Sequence, residues 1–476
     1  MRIRAAYGLA VVASAALYAA SLPPFGWWPL GWIALTPLIA ALARVSPAGG
    51  AVLGAAWGVV ATTFVVGWFL PSMLQAFFGL RVLTAWAALF AVGTLLVAPY
   101  TAAFGAWLAW RARRGVSPLA IGAAWALGEW ARVVSPIGTP WGLLAYGQTG
   151  AIGIAQTADL AGPYATSALA AAVGALGAAI VTPAVRGRSG IWAIAGVGVT
   201  LLAAILYGQF RLAPSAAPSA AIRVAALQAA SATPSVPLAR WTALARQTAV
   251  AQSQLVVWPE HAIDGYLQES TPEQAAILAL SRELGADLLV GSAAWEAGVA
   301  GPSYRNAIYV VRDGMLAGRY DKRRLLPIAE QTAFGTGGAR YTPGRLAQPL
   351  RTSAGFVGVL LCSEVLYPAL TRELASQGAT LLVNPSNDAW YPARGAVEHM
   401  LAAARFRAIE SRRPLIRSST GGRAAIVDAG GRLTRVGPLG EDAAIAAEVT
   451  PNADRTFYTR RGDAWVWLAL IVAAGI

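Results

Sequence analysis

Three residues of reactive type stand at or just beyond the ends of short apolar runs. Glu260 follows Val-Val-Trp-Pro, Lys322 follows a turn and a short run, and Cys362 ends the apolar run 356–361. Lys322 is the only lysine among 37 basic residues, and Cys362 is the only cysteine. Unlike a guanidinium, the lysine ammonium is compact and able to lose a proton. A carboxylate, an ammonium and a thiol would together form a site for nucleophilic acyl transfer.

Each of the three groups has a definable role in that chemistry. A thiol has a pKa near 8.5 and attacks only as the thiolate, so Glu260 would act as the general base for Cys362. Lys322 would stabilise the thiolate and then the oxyanion of the tetrahedral intermediate, with the backbone N–H of Ser363 as a second donor. Taken singly, the same residues also fit a small core residue, a solvated carboxylate and a surface lysine. Spacing alone leaves that choice open.

The region from about 222 to 455 predicts the elements that would position these groups. Short β-rich runs alternate there with amphipathic helices, a pattern typical of an α/β domain. Open α/β sheets place their sites at the carboxyl ends of their strands, which is where Glu260 and Cys362 stand. The predicted helices are 237–252, 272–284, 368–377 and 397–412, and the predicted strands are Arg223–Gln228, Leu255–Trp258, Asp287–Gly291, Ala307–Arg312, Phe356–Leu361, Leu381–Asn384, Leu415–Ser418, Ala424–Val427 and Ala443–Val449.

The first 210 residues have the composition of a membrane domain. The whole chain of 476 residues is 56% hydrophobic and only 13% charged, against roughly 25% charged in soluble domains. A span needs about 20 apolar residues. We predict seven spans, a Pro/Ser/Ala linker at 211–221, and the start of one further membrane helix at 465–476. The seven spans are 5–22, 27–43, 51–70, 83–110, 117–133, 164–184 and 191–210.

Charge placement predicts the topology and excludes several functions. Arginines precede the first predicted span and follow the second, fourth and sixth, which puts those ends in the cytoplasm and residues after 210 outside. The net charge is +14, but the sequence contains no nucleic-acid-binding motif, so we expect no nucleic-acid partner. A single cysteine excludes an internal disulfide. The only histidines, His261 and His399, are too few for a metal site, and we interpret both as structural.

Several motifs resemble those of a known enzyme superfamily. The contexts Trp-Pro-Glu around Glu260, Tyr-x-Lys-x-x-Leu-x-Pro-x-x-Glu around Lys322 and Cys-x-Glu around Cys362 resemble the nitrilase, or carbon–nitrogen hydrolase, superfamily. That likeness implies an α/β/β/α sandwich. With the membrane region in front, the whole chain is similar to the family of bacterial apolipoprotein N-acyltransferases. Further segments with this likeness are Pro23–Leu30, Glu129–Arg132, Thr139–Gln148, Gln156–Tyr164, Ser386–Tyr391 and Leu415–Ser418.

The resemblance implies a specific reaction, partners and location. Such an enzyme transfers a fatty acyl chain from a phospholipid to the α-amino group of diacylglyceryl-cysteine in an apolipoprotein, through a thioester on the cysteine. It implies Glu260 as base, Lys322 as oxyanion and thiolate stabiliser, and Cys362 as nucleophile. No cofactor or metal is implied. We expect a monomer in the bacterial inner membrane, with the catalytic domain on the outer face.

The resemblance also suggests supporting residues, and here alternatives stay open. Glu330 and Glu364 would orient Lys322 or handle the incoming amine, or else form surface salt bridges. Trp390 and Tyr391 would line the acyl or lipid path, or else pack in the core. Glu129 is expected within the membrane, where a charge is costly and often functional, with Arg132 as its partner.

The chain departs from the family pattern around the expected lid. Ser363 replaces the usual aromatic residue after the cysteine, Pro327–Glu330 is altered, and the stretch between Glu330 and Cys362 is short. These changes bear on lid contacts and substrate fit more than on the chemistry. Two rival functions remain: a membrane-tethered amidase or nitrilase that uses water, and a non-catalytic scaffold that binds lipoproteins.

Overall fold

The chain forms two compact units, each with its own topology. The computed structural model describes residues 2–185, 190–213, 220–298, 301–326, 330–331, 341–391 and 394–475. One unit comprises Met1–Ala213 together with Arg461–Ile476, and the other comprises Pro214–Arg460. We call them the helical unit and the sheet unit. Of the predicted linker at 211–221, Arg211 and Leu212 still belong to a helix, and residues 214–219 lie outside the described part.

Over its described residues, the regular structure of the helical unit consists of α-helices, short 3-10 turns and one π-helical turn. Four helical stretches are long and apolar enough to cross a membrane: Pro47–Val66, Val82–Ala112, Pro163–Val181 and Gly190–Leu212. The helices are α1 Arg2–Ser21, α2 Thr36–Leu42, α3 Pro47–Val66, α4 Leu70–Phe78, α5 Val82–Val92, α6 Ala98–Ala112, α7 Pro118–Val134, α8 Ile152–Ala155, α9 Ala158–Ala161, α10 Pro163–Val181, α11 Gly190–Leu212 and, at the carboxyl end, α17 Trp465–Ala474.

Two predicted spans differ from the helices that form. The predicted span 27–43 consists of a 3-10 turn, Trp28–Trp32, and the separate helix α2. Pro37 lies in the first turn of α2, where its missing N–H does no harm, so it favours a new helix start there. The predicted span 83–110 is α5 and α6 joined by a π-helical turn at Gly93–Val97, just before Pro99. The total of seven spans stays a prediction.

Small residues set the packing of α3 against α6. Gly50, Gly54 and Gly58 repeat every four residues along one face of α3. A side chain at Gly54 would overlap the backbone carbonyl of Thr101, and one at Gly50 would overlap that of Gly105. Such close approach of backbones is how membrane helices gain contact where lipid offers no hydrophobic driving force.

The described part of the sheet unit contains thirteen strands in one hydrogen-bonded network. Along the main path the strand order is β6-β5-β4-β2-β1-β10-β9-β8-β7, and β3, β11, β12 and β13 attach to it. The strands are β1 Ile222–Ala229, β2 Leu255–Val257, β3 Ile263–Tyr266, β4 Asp287–Glu296, β5 Ser303–Arg312, β6 Met315–Asp321, β7 Leu350–Thr352, β8 Gly355–Val359, β9 Leu381–Asn387, β10 Leu415–Thr420, β11 Ala425–Val427, β12 Leu433–Val436 and β13 Ala443–Val449.

Helices cover the sheet and complete its core. The helices are α12 Leu238–Gln247, α13 Pro272–Leu284, α14 Pro368–Ser376, α15 Arg394–Ser411 and α16 Phe457–Arg461. Helix α13 matches its predicted bounds because both ends are signalled: the Thr271 side chain accepts from Gln274 N, and Gly285 ends the helix at φ +60°. Trp241 of α12 and Ile277 of α13 bury their side chains in one apolar cluster with β1, β2 and β4. The predicted α/β pattern of this region is confirmed.

Candidate active site

The three reactive residues converge because their strands point the same way. Strands β1, β2 and β4 are mutually parallel, as are β8, β9 and β10, and β1 joins the two sets by pairing in parallel with β10. Strand β6 follows two antiparallel pairings from β4, so it also runs in that direction. Glu260, Lys322 and Cys362 each come within three residues of the end of β2, β6 and β8. All three side chains therefore reach one edge of the sheet, as expected for open α/β sheets.

Glu260 is a buried carboxylate with donors on both oxygens. Its side chain is 4% exposed. Oε1 accepts from Lys322 Nζ at 3.1 Å and from Asn306 Nδ2 at 2.8 Å, and Oε2 accepts from the Asn387 backbone N at 3.1 Å. The carboxylate is thus held in one orientation, and it interacts electrostatically with the Cys362 thiol.

Lys322 sits between two carboxylates. Its Nζ donates to Glu260 Oε1 and, at 2.9 Å, to Glu330 Oε1. Its backbone N donates to the Asn306 carbonyl at 2.8 Å, which continues the β5–β6 ladder past the end of β6. An ammonium has three donors, so among the described residues one N–H of Lys322 is left for a substrate atom.

The electrostatics of the site set its resting protonation. Burial alone would raise the pKa of Glu260, but the Lys322 charge and the hydrogen bonds together hold it below its ordinary value. Burial alone would lower the pKa of Lys322, whereas Glu260 and Glu330 together raise it well above its ordinary value. Burial and then the Glu260 charge raise the pKa of the Cys362 thiol. At neutral pH the site therefore holds a carboxylate, an ammonium and a neutral thiol.

Cys362 has a backbone conformation that most residues avoid. Its φ is +52°, in the left-handed region where a non-glycine residue is strained. Asn384 Nδ2 donates to the carbonyl oxygens of Leu360 and Cys362, at 2.5 and 3.0 Å, and so holds this turn. A 3-10 helix, Cys362–Leu366, begins at the same residue. The first N–H groups of a helix have no partner within it, which leaves the Ser363 N–H available as a donor.

Hydrogen bonds of the Glu364 carboxylate connect the segment around Lys322 to the segment around Cys362. Its Oε1 accepts from the backbone N of Arg323 at 2.7 Å and of Arg324 at 2.9 Å. Its Oε2 accepts from Tyr320 Oη at 2.9 Å and from Leu361 N at 2.8 Å. Burial raises the pKa of this carboxyl. Glu364 therefore holds the backbone just after Lys322 and the Tyr320 side chain just before it, without a hydrogen bond to the Lys322 ammonium.

The other predicted supporting residues differ in their burial and in their contacts with the three reactive residues. Glu330 reaches the site through Lys322 and Asn306, and its Oε2 accepts from Leu326 N at 2.7 Å. Tyr391 is buried and interacts with the Cys362 sulfur, while Trp390 is half-buried. Ser363 is buried, and its hydroxyl has no partner among the described residues. Of the segments expected to form the lid, 327–329 and 332–340 lie outside the described part.

Sequence reasoning gave no site role to several residues that the fold brings to the site, although Ser386 and Arg417 lie in segments that carry the family likeness. Asn306 lies on β5 and binds both Glu260 and Glu330. Asn384 and Ser386 lie on β9 and contact Cys362, and Arg417 on β10 donates to Asn384; all three are fully buried. The signal for Asn306, Asn384 and Arg417 was a polar residue next to the apolar run of its strand, because a buried polar group requires a partner.

Glu129 of α7 lies at a separate polar site within the helical unit. Its Oε1 accepts from Tyr18 Oη at 3.1 Å, Trp125 Nε1 at 3.1 Å and Leu144 N at 2.9 Å. Arg132 Nη1 donates instead to the carbonyls of Thr139 and Trp141, both at 2.7 Å. The Glu129 and Arg132 charges interact electrostatically, but among the described residues no direct hydrogen bond or ion pair joins them. The reason is that backbone carbonyls of the loop after α7 lie within reach of the guanidinium.

Comparison with known proteins defines first the class and then the family. The sequence profile Carbon-nitrogen hydrolase matches residues 223–456, so the sheet unit has the fold of that class. The profile Apolipoprotein N-acyltransferase N-terminal domain matches residues 14–176. The apolipoprotein N-acyltransferase of Geobacter metallireducens is 30% identical, covering 98% of this chain and 94% of its own. That of Methylococcus capsulatus is 31% identical, covering 97% and 94%. The chain belongs to the apolipoprotein N-acyltransferase family.

A solved structure gives a further comparison for the sheet unit. The carbon-nitrogen hydrolase from Helicobacter pylori G27 covers 52% of this chain and 94% of its own, with a TM-score of 0.39 and 24% identity. The predicted fold class, a helical membrane region followed by a nitrilase-like α/β domain, is confirmed by the two profiles. Together with the four long apolar helices, the family match defines a membrane protein.

Proposed function

We propose that this chain transfers a fatty acyl group from a phospholipid to the α-amino group of diacylglyceryl-cysteine in an apolipoprotein. The observation that carries the proposal is the convergence of Glu260, Lys322 and Cys362 from three strand ends. The relatives named apolipoprotein N-acyltransferase support the choice of donor and acceptor. The proposed catalytic site uses side chains and backbone donors alone, and it needs no cofactor.

The first half-reaction forms a thioester. Glu260 takes the proton of the Cys362 thiol as the sulfur attacks the carbonyl carbon of a phospholipid acyl ester. The free N–H of Lys322 and the backbone N–H of Ser363 donate to the resulting oxyanion. The carbon–oxygen bond then breaks, and the protonated Glu260 returns its proton to the leaving alkoxide. The products are an acyl-enzyme thioester and a lysophospholipid.

The second half-reaction forms an amide. The α-amino group of the lipoprotein attacks the thioester carbonyl, with the same two oxyanion donors. Glu260 removes a proton from the amine, the carbon–sulfur bond breaks, and the proton returns to the sulfur. The enzyme regains its neutral thiol, and the acceptor carries a new N-acyl group. Glu330 keeps the Lys322 ammonium in place throughout.

The membrane domain fits substrates that are themselves anchored in lipid. We propose that the sheet unit faces the outer side of the inner membrane, as the arginine distribution predicts, and that the enzyme acts as a monomer. Trp390 and Tyr391 are proposed to contact the acyl chain or the lipid part of the acceptor.

Intact-mass spectrometry of the full chain with phospholipid tests the proposal. The wild type should gain the mass of one fatty acyl group, and Cys362→Ala should gain none. Adding a diacylglyceryl-cysteinyl peptide should then remove the group and yield N-acylated peptide. Release as free fatty acid would identify a hydrolase instead. A Cys362→Ala variant that still supports lipoprotein maturation in cells would identify a scaffold. No acyl adduct on folded wild-type protein would refute the thioester.

A further inference from the structure

A buried ion pair next to Cys362 is not used in the mechanism above. Asp388 and Arg417 are both fully buried, and Arg417 Nη2 donates to Asp388 Oδ2 at 2.5 Å. Ser419 Oγ donates to the same oxygen at 2.6 Å. A buried pair is weak evidence for stability, because desolvation offsets much of its attraction. Stability alone therefore does not explain the pair. Two chains of hydrogen bonds connect it to Cys362.

The first route ends on the sulfur. Ser386 Oγ lies 2.7 Å from Asp388 Oδ1 and 3.6 Å from Cys362 Sγ. A serine hydroxyl has one proton, so it donates either to the carboxylate or to the sulfur. The carboxylate is the nearer and stronger acceptor while the thiol is neutral. Once the sulfur becomes a thiolate, it also becomes a charged acceptor, and charge-assisted hydrogen bonds are the stronger kind.

The second route ends on the Cys362 backbone. Arg417 Nη1 donates to Asn384 Oδ1. Asn384 Nδ2 in turn donates to the carbonyl oxygens of Leu360 and Cys362. The same ion pair thus orients the amide that holds Cys362 at positive φ.

We propose that Ser386 is a further catalytic residue, whose hydroxyl turns from Asp388 to the sulfur as the thiolate forms, and that Asp388 and Arg417 are positioning residues. This inference rests on the proposed role of Cys362 as the nucleophile. Asp388 tolerates the loss of the Ser386 donor because its other oxygen keeps the bonds from Arg417 and Ser419. No proton leaves the network in this step, since only the direction of one O–H changes.

The remaining charges around the sulfur are the same whether or not Ser386 has a hydroxyl. Glu260, Lys322, Asp388 and Tyr391 are the titratable groups that interact with the Cys362 thiol. Replacing Ser386 by Ala changes none of them. A change in thiol reactivity in that variant therefore reports the hydroxyl.

The single cysteine allows a direct test in the full chain without lipid or lipoprotein. The probe is iodoacetamide, and the readout is the rate at which intact mass gains one carbamidomethyl group, measured across alkaline pH. Ser386→Ala should alkylate about tenfold more slowly below the thiol midpoint, equivalent to an upward shift of about one pH unit. Ser386→Thr, which keeps a hydroxyl, should follow the wild type.

Ser418→Ala is the matched control. Ser418 lies on the neighbouring strand β10, is equally buried, and its hydroxyl has no partner among the described residues. Its loss should leave the profile unchanged. A Ser386→Ala profile equal to the wild type, equal shifts in Ser386→Ala and Ser418→Ala, or an equal shift in Ser386→Thr would each overturn the inference. Because no acyl transfer is measured, these results are distinct from a failure of the proposed function.

Discussion

The ammonium of Lys322 lies between two buried carboxylates, so replacing it with Met should have a large and pH-dependent effect on stability. The bonds from Nζ to Glu260 and Glu330 measure 3.1 and 2.9 Å, and Lys322 is 1% exposed. Removing one partner of a buried ion pair costs about 3–5 kcal/mol, because a charge is left without compensation. For a unit of this size that corresponds to a fall in Tm of roughly 6–20 °C.

The pH dependence follows from the direction of each pKa shift. The raised pKa of Lys322 contributes stability that is present below its ordinary value and is lost as pH rises through the folded value. The lowered pKa of Glu260 contributes stability that is present above its ordinary value and is lost as pH falls through the folded value. Both contributions act at neutral pH. The difference between wild type and Lys322→Met should therefore be largest there and shrink on acidification.

Thermal unfolding in detergent, followed by tryptophan fluorescence across pH, measures this difference. Arg319→Met is the matched control, since Arg319 lies on β6, three residues before Lys322, but is 25% exposed and pairs with the half-exposed Glu296 and with Asp321. Such solvent-accessible pairs contribute about 0–1 kcal/mol each. Adding Glu260→Gln to Lys322→Met removes the stranded carboxylate and should restore at least about 1 kcal/mol. Equal losses in Lys322→Met and Arg319→Met, or no restoration in the double variant, would refute the reasoning.

Three further variants test other parts of the molecule. Glu260→Gln keeps the shape but removes the proposed base, so the rate of acyl-enzyme formation should fall at least about 100-fold, whereas Glu398→Gln, in a partly exposed ion pair with Arg423, should match the wild type. Glu364→Gln weakens the acceptor of the Arg323 and Arg324 backbone N–H groups, so trypsin should cleave after either arginine faster than in the wild type. An unchanged cleavage rate would contradict the role of Glu364 in holding this segment. Gly54→Val should separate α3 from α6 and lower the heat-resistant folded fraction on size-exclusion chromatography, whereas Gly8→Ala, which meets no atom within 4 Å, should not.

The sequence predicted the strands that carry Glu260 and Cys362 better than it predicted the hydrogen-bond partners of these two residues. The runs ending near Glu260 and Cys362 were apolar, flanked by turn residues and of ordinary strand length, so their pattern was visible locally. The hairpin at Asp313-Gly314 has positive φ at both residues, as two-residue turns of this composition favour. By contrast, β3, β7 and β12 were missed because polar residues or glycine interrupt them, so none of the three forms an apolar run.

The hydrogen-bond partners could not be predicted because they are distant in sequence. Asn306 reaches Glu260 across 46 positions, and Asn384 reaches the Cys362 carbonyl across 22. Nothing in one sequence indicates which buried polar residue meets which. Glu129 and Arg132 illustrate the same limit: their charges interact, but the hydrogen bonds of the Arg132 guanidinium go to two loop carbonyls that the sequence did not indicate.

The protonation state of the unliganded site affects which electrophiles the Cys362 thiol can react with. With the pKa of Glu260 lowered and that of Cys362 raised, proton transfer from sulfur to carboxylate is uphill in the unliganded site. In the proposed mechanism the thiolate would therefore form mainly when a substrate carbonyl is in place to accept its attack and to place a developing oxyanion near Lys322. The same ordering predicts slow alkylation of the resting enzyme. A preformed thiolate would react with any electrophile that entered, whereas a thiol activated during attack is selective for a carbonyl that the oxyanion donors can reach.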